Sequence, residues 1–272
     1  MKKFMKKLGQ HFLVNKSKLE KIVEALELKD GDLVIEIGAG HGELTEELRS
    51  TNRELRIIAI EKDPKLVKFL NSRFQILDSR FSVIEGDALK ILPQISKSYI
   101  LNSKSFKIVG DIPYYITGRL LRILSELENK PSLIVLTIQK EVAERICAQP
   151  PKMNLLAAAV QFWAKPEIIG YISKKDFRPM PQIDSAIIRL KPESITLIER
   201  SFNKCNKGVR YYKLIKIIFK QPRKTIINNL AEGLKISKEE IIEKLKLLKI
   251  NPDDRPQNLS TKQLIELTCV LR

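Results

Sequence analysis

Ten residues, Leu33-Val-Ile-Glu-Ile-Gly-Ala-Gly-His-Gly42, constrain this chain more than any other stretch. Leu33, Val34, Ile35 and Ile37 flank Glu36 and run straight into Gly38, Gly40 and Gly42, and a polar helical pattern follows from Glu43 to Leu48. A strand that feeds a glycine turn and then a helix N-terminus leaves bare backbone where a nucleotide-like ligand can approach. Two acids extend the pattern. Glu61 ends the apolar run from Leu55 to Ile60, 23 positions after Gly38, where a second strand should end. Asp87 sits in Gly86-Asp87-Ala88, after the strand pattern at Phe81 to Ile84. A carboxylate accepts hydrogen bonds from vicinal hydroxyls or an adenine amine and repels phosphate. The expected ligand is therefore an uncharged-ended nucleoside such as S-adenosylmethionine. A lone Gly-x-Gly-x-Gly is otherwise often a plain tight turn. A dinucleotide site wants Gly-x-Gly-x-x-Gly, and here Glu43 stands where the third glycine belongs.

Positions 15–29 read as an amphipathic helix with Leu19, Ile22, Val23 and Leu26 on one face. Strand patterns then recur near 33–38, 55–61, 81–85, 106–111 and 132–138 with helices between them, which predicts a parallel sheet with crossover helices. Two further strands, near 167–172 and 184–190, flank the proline-punctuated loop Phe177-Arg-Pro-Met-Pro181. After Pro192 the β patterns stop, and helical periodicity covers 194–203, 211–220, 224–233, 238–247 and 261–270. We expect one domain over 1–192 and a smaller all-helical one over 193–272.

Composition narrows the class. Of 272 residues 43% are hydrophobic, enough for a core, and no apolar run approaches the roughly 20 residues of a membrane helix. The start, Met-Lys-Lys-Phe-Met-Lys-Lys-Leu-Gly, lacks an apolar signal segment, and Cys147, Cys205 and Cys269 suit a reducing cytosol. A cytoplasmic, monomeric protein without a membrane partner is expected. His11 and His41 are the only histidines, which argues against a His-based metal site or triad. The net charge is +17, and residues 191–272 hold 18 basic against 9 acidic side chains. Nine basic and no acidic residues fall within 200–224, where Arg210, Lys213, Lys220, Arg223 and Lys224 are candidate RNA contacts. Lys2, Lys3, Lys6 and Lys7 add to them, although charge runs often form only a solvated face. RNA is the expected polyanion.

Residues 106–115, Phe-Lys-Ile-Val-Gly-Asp-Ile-Pro-Tyr-Tyr, place Asp111, Pro113 and two tyrosines at the end of the fourth strand, where ligands bind in an open α/β sheet. Methyl transfer from a sulfonium to an exocyclic amine needs the amine's lone pair localised, not strong acid–base help. Asp111 with a backbone carbonyl can accept the amine hydrogens. Tyr114 offers a flat face for a flipped base, a contact worth about 1–3 kcal/mol, and Phe177 can close the other face. A turn-capping Asp111 and a core Tyr114 are the plain alternative.

These segments together resemble the ribosomal RNA adenine dimethyltransferase family, in particular its small-subunit branch. The matches are Leu8-Gly-Gln-His-Phe-Leu13, Glu36-Ile-Gly-Ala-Gly-His-Gly42, Glu61 with Asp63, Gly86-Asp-Ala88, Asp111-Ile-Pro-Tyr114, Gln139-Lys-Glu-Val-Ala143 and Phe177-Arg-Pro-Met-Pro-Gln-Ile-Asp-Ser-Ala186. Phe219 to Leu230 and Arg255-Pro256 extend the match into the helical end. The resemblance implies a Rossmann-like α/β methyltransferase domain that uses S-adenosylmethionine and no metal. It implies that His11, Leu13, Gly38, Glu61, Asp87 and Asp111 line the donor site, beside Gly40 of the turn. It also implies dimethylation of N6 on two adjacent adenines near the 3′ end of small-subunit rRNA, with the small ribosomal subunit precursor as partner. The family usually has Asn at the position of Asp111. Two alternatives stand: a large-subunit methyltransferase of the macrolide-resistance type, which shares the donor site, and a non-catalytic RNA-binding assembly factor.

Overall fold

The computed structural model of the chain describes residues 10–51, 53–75, 79–98, 105–193 and 207–271. Leu8 and Gly9 of the N-terminal motif, Lys2, Lys3, Lys6 and Lys7, Arg200, Lys204, Cys205 and the helix expected over 194–203 lie outside the described residues. From β1 (Phe12–Leu13) the chain enters α1 (Lys16–Ala25) and then alternates: β2 (Leu33–Ile37), α2 (Glu43–Arg49), β3 (Arg56–Glu61), α3 (Pro64–Leu70), β4 (Phe81–Glu85), α4 (Ala88–Ser98), β5 (Phe106–Asp111), α5 (Thr117–Glu126) and β6 (Leu133–Gln139). Helices α6 (Lys140–Ile146) and α7 (Leu155–Gln161) lead to β7 (Ala164–Ile172), β8 (Phe177–Arg178) and β9 (Ser185–Pro192). Helices α8 (Lys207–Ile218), α9 (Ile226–Leu234), α10 (Lys238–Leu247) and α11 (Thr261–Val270) follow.

Seven strands make one sheet in the order β4-β3-β2-β5-β6-β9-β7. The pairs β2–β3, β2–β5, β3–β4 and β5–β6 are parallel, and β9 runs antiparallel to β6. Every residue of β2 is buried, as expected of a strand covered on both faces, whose sequence reads as a nearly continuous apolar run broken only by Glu36. From β2 the order grows one way through β3 and β4 and the other way through β5 and β6. That reversal opens a crevice beyond the carboxyl ends of β2 and β5, where Gly38 and Asp111 stand.

The chain clusters into two compact units. One contains the described residues up to Ala143 together with Pro166–Pro192; the other contains Glu144–Lys165 and the described residues from Glu193 on. A break at Pro192 is thus one of three points at which the chain passes between units. In the second unit Tyr211 of α8 is 1% exposed, stacks on Phe162 with centroids 4.1 Å apart and donates its hydroxyl to the Ala158 carbonyl at 2.9 Å. Burial pushes its phenol pKa well up, so the hydroxyl stays a donor. These contacts join 144–165 to the helices that follow Pro192.

A lysine inside the first unit is the main departure from an apolar sheet. Lys107, opposite Val34 in β5, pairs with Asp32 at 2.8 Å, and the two side chains are only 8% and 11% exposed. Asp32 also accepts the Lys29 amide at 2.7 Å. Removing one partner of a buried pair strands the other charge. Lys107→Met should cost about 3–5 kcal/mol in urea unfolding; a loss below about 1 kcal/mol would mean that water reaches Asp32.

Candidate active site

The chain leaves β2 through Gly38 (φ 74°) and Gly40 (φ 60°), left-handed conformations that favour glycine. At Gly40 a Cβ would stand 2.8 Å from the Phe12 ring, so no side chain fits between the turn and β1. Gly38 donates its amide to the Ile60 carbonyl at 2.8 Å. The Gly40 amide donates to Glu61 Oε2 at 3.0 Å, while Glu61 Oε1 accepts the Lys62 and Asp63 amides at 2.7 and 2.8 Å. Glu61 therefore fastens the end of β3 to the turn after β2. A carboxylate has about four lone-pair sites, so three backbone donors leave capacity on Oε2.

His11, Gly38, Gly40, Glu61 and Asp87 border one cleft of about 230 Å³. Asp111, Pro113, Tyr114 and Phe177 border the same cleft. Leu13 does not: its side chain is 3% exposed in the core, and it contributes its amide, which donates to the Asp111 carboxyl. Phe12 and Leu13 of β1 pair antiparallel with Arg178 and Phe177 of β8. His11 Nδ1 lies 2.7 Å from the Pro179 carbonyl. A carbonyl only accepts, so Nδ1 carries the proton. The N-terminal strand and the proline loop, far apart in sequence, thus form one wall.

The acids of this cleft differ in protonation. Asp87 feels some burial, which raises its pKa, but the Leu89 amide at 3.0 Å and the Lys62 ammonium at 3.3 Å outweigh it and hold the carboxyl below its ordinary value. Asp111 goes the other way: burial first, then the charge of Glu43, push it up to about 8 against the pull of the Leu13 amide. Glu36, 1% exposed in mid-strand, is pushed up to about 7 by burial, despite accepting the Thr45 hydroxyl at 2.6 Å. Glu43 and Glu61 add to that rise. Tyr114 shares a 2.8 Å hydrogen bond with Ser185, and its pKa is raised by burial and by the nearby acids Asp111 and Asp184. Its hydroxyl therefore stays protonated.

Sequence reasoning passed over Glu36 and Glu43 as part of this electrostatic system. A carboxylate inside an otherwise apolar strand was the available signal for Glu36. Glu43 carries no such mark, because an acid in the first turn of a helix is ordinary.

In the second unit Arg210 and Lys213 are exposed on α8, and Lys220, Arg223 and Lys224 are exposed in the connection to α9. The acid-free run 200–224 suggests cations that face no carboxylate, and for two of them this is corrected. Glu232 of α9 accepts Lys220 at 3.3 Å and Lys224 at 3.1 Å, which holds its own pKa below the ordinary value. The helix reversal after Ile218 brings an acid from outside the run back onto it.

A parallel sheet with a reversal between β2 and β5, a glycine turn there and carboxylates at the ends of β3 and β5 define a Rossmann-like methyltransferase. The ribosomal RNA adenine dimethylase family model matches residues 1–271. The chain is 38% identical over 262 residues to "Ribosomal RNA small subunit methyltransferase A" of Dehalococcoides mccartyi, covering 95% of this chain and 85% of that one. It is 35% identical to the protein of the same description from Halothermothrix orenii, over 99% of this chain and 88% of the relative. The chain belongs to the ribosomal RNA adenine dimethylase family. Among solved structures it is similar to a dimethyladenosine transferase from Plasmodium falciparum (TM-score 0.77, 24% identity, 94% of this chain and 95% of that one). It is also similar to the 23S rRNA methyltransferase ErmE (TM-score 0.73, 22% identity, 96% and 99%). At these identities the likeness is one of fold.

Asp111 holds its proton more tightly folded than unfolded. It therefore favours folding at low pH, and that contribution fades as pH rises through about 8. Ligand-free Asp111→Asn should gain in unfolding temperature over the parent between about pH 5.5 and about pH 8.5. An offset that is the same at both ends would show that Asp111 ionises like a surface carboxylate.

Proposed function

We propose that this chain transfers methyl groups from S-adenosylmethionine to N6 of two adjacent adenines near the 3′ end of small-subunit (16S) rRNA, as a cytoplasmic monomer acting in ribosome biogenesis. The observation that carries the reading is the convergence of Glu61, Asp87 and Asp111 on the glycine turn in one cleft. The residues present fit the donor. Glu61 Oε2 retains acceptor capacity for a ribose hydroxyl, Asp87 suits an adenine amine, and Gly38 and Gly40 present backbone with no Cβ. When bound, the donor supplies an electrophilic methyl on a sulfonium.

Asp111, Pro113 and Tyr114 hold the acceptor amine. Its lone pair is spread into the purine ring, and an acceptor on its hydrogens localises that pair. The ionised carboxylate would lack a donor that the family's usual Asn has. A protonated Asp111 offers one acceptor oxygen and one O–H, the donor–acceptor pair of an amide. Tyr114, its hydroxyl tied to Ser185, supports a flat base, and Phe177 supports the opposite face. The decisive test is mass spectrometry of rRNA after incubating small-subunit particles with protein and labelled donor. Dimethyladenosine in the small-subunit RNA is expected; label confined to large-subunit RNA would favour the macrolide-resistance type, and no label a non-catalytic assembly factor.

Glu61→Ala should weaken S-adenosylmethionine binding by roughly 1.5–3 kcal/mol in calorimetry, with Glu61→Gln falling between it and the parent. Tyr114→Ala should slow methyl transfer and leave donor affinity unchanged. Parental donor affinity in Glu61→Ala, or parental turnover in Tyr114→Ala, would reassign those residues.

The basic face of the second unit is read as the RNA clamp. Arg210→Gln with Lys213→Gln should flatten the log–log salt dependence of RNA binding by about 1.4–1.8 units, since each phosphate contact contributes about 0.7–0.9. Lys220→Gln with Lys224→Gln should flatten it less, because Glu232 already answers those charges. An unchanged slope in the first pair would mean that the RNA path runs elsewhere.

A further inference from the structure

The cleft has an outer rim that the chemistry above does not use. Tyr115 follows the Tyr114 that faces the target base, borders the same cleft and is 62% exposed. Among the described residues its ring meets no aromatic partner and its hydroxyl no hydrogen-bond partner. Arg119, four residues on, borders the cleft as well, is exposed, and has no carboxylate of the described residues paired with it. The 3₁₀ turn Tyr114–Ile116 runs into α5, so Tyr115 and Arg119 lie about one helical turn apart on one side. Between them Gly118 has nothing within 4 Å of where a Cβ would stand, so no neighbouring side chain fills the space beside it.

Charge separates this rim from the interior. Glu61 and Asp87 line the cleft and repel a phosphate that tries to follow a base inward. A nucleotide strand that delivers one base to the cleft must therefore keep its phosphates outside, and an exposed guanidinium on the rim, which pairs with no carboxylate of the described residues, is a fitting place for one. A flat exposed phenol alongside is a surface on which a second base can stack.

We propose that Tyr115 and Arg119 form a subsite for the nucleotide next to the target adenine. Arg119 takes the phosphate that joins the two nucleotides, and Tyr115 stacks the neighbour's base. The proposal rests on the methyl-transfer reading of the same cleft. Stacking accepts any base, so this subsite senses the presence of a neighbour and not its identity.

The test uses the full chain and RNA oligonucleotides that carry the target adenine beside adenine, beside an abasic position, or beside 5-iodouracil, which crosslinks on irradiation to a ring stacked on it. Expected is a crosslinked peptide containing Tyr115. In Tyr115→Ala the crosslink should vanish and KM for the adenine-neighbour RNA should rise about ten-fold or more with kcat little changed. Tyr115→Phe, which keeps the ring, should restore KM. The abasic RNA should already show the high KM with the parent and gain nothing further in Tyr115→Ala. Arg119→Gln should weaken binding of both RNAs and reduce the salt slope by about one unit. A crosslink outside Tyr115, or an equal KM rise on intact and abasic RNA, would overturn the subsite. Failure of the parent to methylate any of these RNAs while the Tyr115 crosslink forms would overturn the methyl-transfer reading instead.

Discussion

Glu61 organises the cleft through three backbone hydrogen bonds. Its two oxygens collect the amides of Gly40, Lys62 and Asp63, so the glycine turn after β2 and the turn after β3 share one anchor. The left-handed φ values at Gly38 and Gly40 persist because the turn is held from below by this carboxylate and from the side by the Phe12 ring. A residue usually regarded as a ligand contact is therefore also part of the frame. Substitutions there mix two effects, and the amide variant, which keeps one acceptor, separates them.

The second organising fact is the unequal protonation of neighbouring acids. Asp87 sits near Lys62 and a backbone amide and is held ionised, whereas Asp111 and Glu36, deeper and close to Glu43, are pushed toward the neutral form. The same residue type thus serves as a charge in one place and as a neutral hydrogen-bonding group in another. A protonated acid carries one acceptor oxygen and one O–H, the hydrogen-bonding pattern of an amide.

Much of this was legible in the sequence because buried parallel strands read as mostly apolar runs, interrupted here by Glu36 in β2 and Lys107 in β5, and their ends are marked by glycine or by an acid. The ends of β2, β3 and β5 were readable for that reason, and with them Gly38, Glu61 and Asp111. Other features left no local trace. The β1–β8 pair has two residues per strand, too few to show any alternation. The grouping of 144–165 with the helices after 192 depends on Tyr211 reaching Phe162 and Ala158, contacts separated by about fifty residues. Glu232 lies outside the acid-free run whose charge it offsets, and only the turn between α8 and α9 shows that they meet. The rise in Asp111 comes first from burial and then from Glu43, which in sequence is simply the start of a helix.

The pairing of β1 with β8 carries a consequence for how the protein is made. Phe12 and Leu13 need Arg178 and Phe177 as partners, and His11 needs the Pro179 carbonyl. The glycine turn, Glu61 and Asp87 are all present in the nascent chain well before residue 177 is polymerised. The wall that positions Leu13's amide against Asp111 is not, because one of its two strands has yet to leave the ribosome. During synthesis the cleft is therefore a half-built groove, open on the side of His11, and it closes only after Phe177 and Arg178 have been made and have left the ribosome. A chain released before that point has its nucleoside-facing acids but no N-terminal strap across them.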